Sequence, residues 1–333
     1  MKRLATVLVL LVVVASFAMA SGQSGGAVEE KSWVLKYNQL EPPTHPQGVT
    51  QTAFAKKIEE LSKGQITVKV YASGTLFTQV GEVTAMMNGD LELSTLAFQD
   101  MSPYVPTAAM FAAPYAFVSY EHMEKVFAKN SKVAADFYKM IAEKCNYTPL
   151  AAMTQGSRNI NVKKMDPVKT PADLKGVNLR MPPAASWIDA GKSLGANVTP
   201  VAYAETYTAL QTGTVDAQDN PLPGTFAMKF YEVAKQIVLT KHIIDVKLLC
   251  VTNKVWNAMT EKQKKWMIEA AQYACEQGNK ETYAQEAELI GKMKGFGVVF
   301  TEPDIKAFQK YSLEYYKANN LTKDWDMDLY NRV

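Results

Sequence analysis

The chain has 333 residues, of which 47% are hydrophobic and 21% charged, proportions that are ordinary for a globular domain. Its 36 basic and 33 acidic side chains give a net charge of +3, which leaves no electrostatic footprint for a nucleic acid or an anionic lipid surface. A chain of this length exceeds what one hydrophobic core comfortably fills, so two lobes are predicted.

The N-terminal segment predicts the compartment. Two basic residues precede an apolar run from Val7 to Val14, and an A-x-A motif ends at Ala20. This is the pattern of a cleaved secretory signal peptide over residues 1–20, and it predicts a periplasmic protein. An uncleaved anchor helix is the alternative, although the apolar run is shorter than the ~20 residues that span a bilayer. Residues 21–32, rich in Ser and Gly at their start, predict a flexible lead-in.

The first half of the following chain alternates strand and helix patterns. Strands are predicted over 34–38, 66–70 and 91–97. One helix is predicted from its apolar face of Phe54, Ile58 and Leu61, and another over about 80–88, each closed by a glycine. This βαβ rhythm predicts a parallel sheet with helices on its faces.

The rhythm restarts near Thr148. A long helix is predicted from the cap at Thr260 to about Lys294. Shorter helices are predicted over 184–193, 204–211 and 303–317. The predicted strands cover 150–154, 159–162, 177–181, 198–201, 215–218, 237–239, 245–251 and 298–300.

Signatures of catalysis and of metal binding are missing from the sequence. The three histidines lie far apart and the cysteines have no metal-ligand spacing, so neither a metal nor a cofactor is predicted. There is no P-loop, no G-x-S-x-G elbow and no G-x-G-x-x-G motif, which favours a binding protein over an enzyme. Cys145, Cys250 and Cys275 allow either one disulfide with an odd thiol or three buried thiols.

Arginine is rare in this chain. Only four of the 36 basic residues are arginine, and two of these, Arg3 and Arg332, lie near the chain ends. A guanidinium binds a carboxylate through two parallel hydrogen bonds, which lysine cannot do. Arg180 ends a predicted strand, and such positions face the crevice where α/β proteins bind ligands. Arg180 is therefore a candidate carboxylate ligand, with a structural pair to Asp173 or Asp189 as the alternative.

Two stretches of the second half carry a resemblance to a known family. One runs from Asp173 through Leu-Arg180-Met-Pro to Pro200, and the other from Glu205 to Asn-Pro-Leu222. They resemble the DctP-like solute-binding proteins of tripartite ATP-independent periplasmic (TRAP) transporters. The resemblance covers nearly all of the chain after residue 20. Further matching segments are His45-Pro46, Pro114-Tyr-Ala-Phe117, Phe230-Tyr-Glu-Val233 and Leu239-Thr-Lys-His242.

The resemblance implies an α/β, two-lobed periplasmic-binding-protein-like fold with a long helix spanning both lobes. Lobe I is expected to comprise residues 33–155 plus about 246–285, and lobe II residues 156–245 plus about 286–333. The ligand would lie in the cleft between them. Closure would present a surface to the transporter's membrane subunits, one small and one large integral membrane protein.

The resemblance also assigns site residues on lobe II. Arg180 falls where the family keeps the arginine that pairs with the substrate carboxylate. Arg158 resembles a second, supporting arginine, for which a hinge or inter-lobe salt bridge is the alternative. Asn220 matches an amide that contacts the carboxylate region, and Tyr203 matches a position that often carries an aromatic residue.

Three further positions complete the predicted ligand-binding set. Phe98 and Gln99 follow the lobe I strand that delivers pocket residues in the family. Trp187 is a candidate ligand-stacking residue, with a place in the core as the alternative. Three aromatic residues near the cleft favour a neutral, partly apolar ligand body, and thus a monocarboxylate over a dicarboxylate.

Together these features predict an extracytoplasmic solute receptor of a TRAP transporter that captures a small organic acid on an arginine. Two alternatives stay open from the residues. One is a periplasmic enzyme that acts on a carboxylate, and the other is a receptor for another transporter or a signalling system.

Overall fold

The structure, a computed structural model, describes residues 31–333. The predicted signal peptide and most of the predicted lead-in lie outside the described residues. Among the helices of residues 31–333, none combines the length and the apolar character that crossing a membrane requires.

The strands form one mixed sheet in the described part of the chain. Their order is β2-β1-β3-β8-β4-β7-β5-β6, and β9 pairs with β8. The strands are β1 (Trp33–Asn38), β2 (Ile66–Tyr71), β3 (Leu93–Ala97), β4 (Tyr147–Val162), β5 (Asn178–Met181), β6 (Asn197–Pro200), β7 (Ala217–Pro221), β8 (Gln236–Thr252) and β9 (Val299–Thr301).

The sheet has a parallel part at each end and an antiparallel centre. β1 pairs in parallel with β2 and β3, and β5 pairs in parallel with β6 and β7, as the alternating pattern predicts. The central pairs β3–β8, β8–β4 and β4–β7 are antiparallel. We call the β1–β3 side the first half and the β5–β7 side the second half.

Two long strands, β4 and β8, connect the two halves. They have 16 and 17 residues, whereas the sequence predicted two short strands in place of each. β4 stays paired with β8 through the breaks in its apolar pattern, and its register against β8 shifts three times. One shift lies at Gly156, whose φ of 108° is a conformation that suits glycine.

Helices cover both faces of the sheet. They are α1 (Pro46–Ser62), α2 (Gln79–Asn88), α3 (Phe98–Met101), α4 (Ala108–Ala112), α5 (Tyr120–Val126), α6 (Lys132–Cys145), α7 (Ala185–Lys192), α8 (Thr206–Thr212), α9 (Leu222–Ala227), α10 (Phe230–Val233), α11 (Asn253–Trp256), α12 (Glu261–Gly295), α13 (Ile305–Ala318) and α14 (Met327–Arg332). Two short 3₁₀ helices cover Pro171–Leu174 and Tyr203–Glu205.

The long helix α12 is the predicted spine. It has 35 residues and begins at the predicted cap, where Thr260 and Gln263 bond each other's backbone N–H groups as a capping box. It packs on α1 in the first half and on α9 and β9 in the second. α12 therefore contacts both halves. The three cysteines are buried and unpaired, which corresponds to the second of the two alternatives left open above.

Candidate functional site

Buried charged side chains meet at the centre of the sheet, where four neighbouring strands lie side by side. Asp245 lies on β8, Arg158 on β4, Asp219 on β7 and Arg180 on β5, and these strands are adjacent in that order. All four side chains are at most 4% exposed. Strand pairing between distant segments therefore brings together the two arginines that the sequence singled out.

Arg180 is a buried cation with free hydrogen-bonding capacity. Its Nε donates to the carbonyl oxygen of Val201 at 2.8 Å, while Nη1 and Nη2 are buried and donate to no described residue. Burial lowers the pKa of Arg180 to about 10, so the group is still protonated at neutral pH. Two parallel N–H groups with no protein partner can take a carboxylate in the bidentate geometry.

Arg158, in contrast, is already paired within the protein. Its Nε and Nη2 donate to the Asp219 carboxylate at 2.6 and 2.9 Å, and Nη2 also donates to the Asp219 carbonyl at 2.7 Å. Nη1 donates to Asp245 Oδ2 at 2.5 Å. Burial opposes the charge on Arg158, but the two carboxylates outweigh it and raise its pKa. This geometry is what the salt-bridge alternative describes, and direct ligand contact by Arg158 stays a prediction.

Asp219 joins Arg158 to a buried histidine. Burial would raise the pKa of Asp219, but Arg158 and His242 outweigh it and hold that pKa far below its usual range. His242 Nε2 lies 3.1 Å from Asp219 Oδ2, and its Nδ1 lies 2.8 Å from Thr240 Oγ1. Burial also lowers the pKa of His242, so the ring is neutral at pH 7. Neither Asp219 nor His242 was in the predicted ligand-binding set.

Tyr203 and Asn220 lie beside Arg180. The Arg180 guanidinium is 5.8 Å from the centre of the Tyr203 ring. The Tyr203 hydroxyl donates to Glu41 Oε2 at 2.5 Å, which joins the two halves of the molecule. Tyr203 Oη and Asn220 Oδ1 lie 3.6 and 3.7 Å from the point where a Cβ on Gly224 would stand. The structure thus brings three predicted residues, Arg180, Tyr203 and Asn220, into one cluster.

The other predicted aromatic residues take different places. The Trp187 ring lies 4.4 Å from the Arg158 guanidinium, and its Nε1 donates to Asp100 Oδ1 at 3.3 Å. Phe98 points away from the arginines into the core of the first half. Its ring lies 5.2–5.6 Å from the rings of Phe111, Phe127 and Phe137.

Gln99 is 2% exposed, and its Oε1 accepts no hydrogen bond from the described residues. Lys247 on β8 was not in the predicted set at all. It is 7% exposed, and its side chain forms no hydrogen bond or ion pair within residues 31–333. Its signal in the sequence was a charged residue two positions after Asp245, directly before the apolar run from Leu248 to Val251.

Known proteins resemble this chain in both sequence and structure. A family model described as bacterial extracellular solute-binding protein, family 7 (DctP), matches residues 37–322. The sialic acid-binding periplasmic protein SiaP of Vibrio cholerae is 31% identical over 268 residues, which is 79% of this chain and 81% of that protein.

Two solved structures from Roseobacter denitrificans, both TRAP periplasmic solute-binding proteins, have the same fold. One, with bound 3-deoxy-D-manno-oct-2-ulosonic acid, has a TM-score of 0.85 and 34% identity, covering 90% of this chain and 98% of that one. The other, with bound L-galactonate, has a TM-score of 0.81 and 28% identity, covering 87% and 95%. The predicted two-lobed α/β fold is confirmed.

Proposed function

Because the chain belongs to the DctP family of TRAP solute-binding proteins, we propose that it is the receptor that delivers a small monocarboxylic acid to a TRAP transporter. The acid is bound through its carboxylate by Arg180. Binding favours closure of the lobes, and the closed receptor is recognised by a small and a large membrane subunit. The predicted signal peptide, together with the family's extracellular role, supports a periplasmic location.

The observation that carries this proposal is the state of Arg180. A buried guanidinium with two unpaired terminal nitrogens is costly unless a partner of opposite charge joins it. Micromolar affinity corresponds to about −8 kcal/mol, of which one bidentate charge-assisted pair supplies a few kcal/mol. The remainder has to come from contacts between the ligand body and both lobes.

The surroundings of Arg180 favour a polar ligand with a single carboxylate. With Phe98 turned into the core, less apolar surface is available to the ligand than the sequence suggested. Unpaired polar atoms of Gln99 in α3 and of Asp245 on β8 are buried as well. The relatives described above bind acids with many hydroxyl groups. We therefore favour a hydroxylated monocarboxylate over the partly apolar acid expected from the sequence.

Closure is proposed as a movement of lobe I, residues 33–155 plus about 246–285, relative to lobe II, residues 156–245 plus about 286–333. A ligand that touches both lobes binds the closed state more tightly and shifts the equilibrium towards it. Arg158 supports the site from the boundary between the lobes, because it is on β4 and pairs with Asp219 of β7 and Asp245 of β8. We propose that it positions the site whether or not it touches the ligand.

The experiment is a thermal-shift screen of the parent protein and two variants against L-galactonate, 3-deoxy-D-manno-oct-2-ulosonate and sialic acid. Arg180→Ala should lose the ligand-induced increase in Tm while its far-UV circular dichroism stays native. Arg332→Ala, at an exposed arginine of α14, is the matched control and should keep the increase.

An increase in Tm retained by Arg180→Ala with the same acid would refute the anchoring role. The acid is recovered after incubation and analysed by mass spectrometry. Recovery of intact acid is expected of a receptor, whereas conversion to a product would favour the enzyme alternative.

A further inference from the structure

Lys247 is, after Arg180, a second buried cation without a side-chain partner of opposite charge in residues 31–333, whereas Arg158 is paired. Its side chain is 7% exposed, yet it forms no hydrogen bond or ion pair with the residues that the structure describes. A buried ammonium group is costly when it lacks hydrogen-bond acceptors. The three N–H donors of Lys247 therefore offer a binding position that Arg180 does not provide.

The strand register fixes the side of the sheet on which Lys247 lies. Lys247 is directly opposite Ala97 in the antiparallel β3–β8 pair, so the two side chains share a face. Ala97 packs in the same cluster as Trp187 of the second half. Asp245, two residues earlier on β8, is on this face as well and contacts Arg158. Lys247 thus faces the cleft between the halves.

Contacts across the cleft connect the surroundings of Lys247 with those of Arg180. Lys247 is on β8 and Arg180 on β5, three positions apart in the sheet, and the strand register offsets them along the strands as well. Tyr203, beside Arg180, donates to Glu41 of the first half, and the charges of Glu41 and Lys247 both act on His45. Lys247 therefore belongs to the side of the cleft that faces Arg180 from the other half.

Unpaired acceptors accompany Lys247. Oδ1 of Asp245 and Oε1 of Gln99 are both buried and accept no hydrogen bond within residues 31–333. Asp245 is two residues before Lys247 on the same face, and Gln99 follows Ala97 by two residues. A hydroxyl group can accept from an ammonium and donate to a carboxylate or amide oxygen at the same time, so it suits both kinds of unpaired group.

A second carboxylate would suit this end of the cleft poorly. The charge of Lys247 already interacts with that of Asp100, and Asp245, which is paired with Arg158, lies two residues away on β8. A carboxylate placed beside Lys247 would meet these acidic groups at close range, and it could not donate to Asp245 or Gln99.

We propose that Lys247, together with Gln99 and the free oxygen of Asp245, selects acids that carry a hydroxyl group, not a second carboxylate, at the end far from Arg180. This inference rests on the proposed function, because it takes the carboxylate at Arg180 as the fixed end. It adds the residues that determine specificity at the other end.

Three acids that differ only at carbon 6 test the proposal. L-Galactonate carries a hydroxymethyl group there, L-fuconate a methyl group and galactarate a carboxylate. In isothermal titration the parent protein should bind L-galactonate most tightly. Its affinity for L-fuconate and for galactarate should be lower by roughly 10- to 100-fold, because this is the usual effect of losing a hydrogen bond to a charged group.

Lys247→Met should lower the affinity for L-galactonate to that for L-fuconate. The affinity for L-fuconate itself should change by less than about threefold. Lys247→Gln keeps an N–H donor group but no charge. Its affinity for L-galactonate should fall between those of the parent and of Lys247→Met, and it replaces the Met variant if that variant folds poorly. Lys241→Met, at an exposed lysine of the same strand, is the matched control and should leave all three affinities unchanged.

The outcomes separate the two proposals. Suppose that Arg180→Ala binds none of the three acids, whereas Lys247→Met keeps the parent's preference for L-galactonate over the other two. This result would overturn the role of Lys247 and leave the proposed function standing. Tighter binding of galactarate than of L-galactonate by the parent protein would also overturn it, since Lys247 would then pair with a second carboxylate. Failure of the parent protein to bind any of the three acids would count against both.

Discussion

Arg158 and Arg180 carry the same charge at neighbouring places, but their surroundings differ. Arg158 donates four hydrogen bonds to Asp219 and Asp245, whereas Arg180 donates one, to a backbone carbonyl. The first guanidinium is compensated inside the protein and holds β4, β7 and β8 together. The second is not, so binding an anion there removes a cost that the folded protein otherwise carries. Geometry, more than residue type, distinguishes the arginine that we propose as the support from the one that we propose as the ligand-binding residue.

Glu82 gives a prediction of pH dependence. It is 2% exposed, and burial raises its pKa to about 8 even though hydrogen bonds from Asn38 and Ser94 oppose the shift. The folded state therefore holds this proton more tightly than the unfolded chain, whose carboxyl has its ordinary pKa of 4.5. The stability from this group is complete below pH 4.5 and is lost as the pH rises towards 8.

Glu82→Gln keeps an oxygen that can accept from Asn38 and Ser94 but cannot ionise. The variant should gain stability relative to the parent as the pH rises from 5 to 8, by at most about 1.4 kcal/mol per pH unit. Urea unfolding at pH 5, 6.5 and 8 measures this difference. Glu59→Gln, on the exposed side of α1, is the control and should show no such trend. If the difference in free energy of unfolding between Glu82→Gln and the parent were the same at every pH, the raised pKa of Glu82 would be refuted.

The sequence located part of the site and missed the rest for a physical reason. Arg180 was found because arginine is scarce and because it ends a strand. Lys247 and Glu41 were not predicted, since their positions near the proposed site depend on pairing between segments far apart in the chain. Phe98 was placed correctly next to β3, but which way its side chain points is decided by packing with Phe111 and Phe137, which local sequence does not encode.

At the scale of elements, prediction succeeded where the periodicity was long and the ends were capped. α12 begins at its predicted cap because Thr260 and Gln263 satisfy the first free backbone N–H groups. β4 and β8 were each divided in two, because glycine and polar residues interrupt their apolar pattern at Gly156 and Lys241. Pairing with neighbouring strands carries both strands through these breaks. The short helices α3 and α4 have too few turns to produce a periodic signal.

The packing of α12 on α1 gives a prediction about two glycines of one helix. A Cβ on Gly278 would collide with Thr50 Oγ1 of α1, whereas a Cβ on Gly291 would meet nothing. Gly278→Ala should destabilise the protein by about 1–2 kcal/mol, because overpacking exceeds the gain in helix propensity. Gly291→Ala should instead stabilise it by up to about 1 kcal/mol. Urea unfolding of the two variants measures these differences. Changes of the same sign in their free energies of unfolding would contradict the close approach of α12 to α1.

For the whole molecule, direct contacts across the cleft join the halves in addition to the strands that connect them. Among the side-chain hydrogen bonds that join the halves are those from Tyr203 to Glu41 at 2.5 Å, from Trp187 to Asp100 at 3.3 Å and between Ser102 and Ser186 at 2.5 Å. Separation of the halves would break all three while leaving β4, β8 and α12 continuous. In the proposed closure the protein itself therefore contributes to the closed arrangement, and a ligand would supply only the remainder.

The pair Ser102–Ser186 allows this contribution to be measured, since it makes no contact with Arg180. Removing either hydroxyl should lower the closed population, and a lost neutral hydrogen bond of about 1 kcal/mol corresponds to roughly fivefold weaker binding. Ser102→Ala and Ser186→Ala should each lower the affinity for L-galactonate by this factor. Most of the change should be a faster dissociation rate, which stopped-flow measurements record.

The double variant decides whether the two residues act through one hydrogen bond. If they do, Ser102→Ala/Ser186→Ala should be no weaker in binding than either single variant. Ser312→Ala, which removes a buried hydroxyl bonded to Ser193 within the second half, is the control and should leave the dissociation rate unchanged. Additive losses in the double variant would mean that the two serines affect binding separately, and closure would then not depend on their contact.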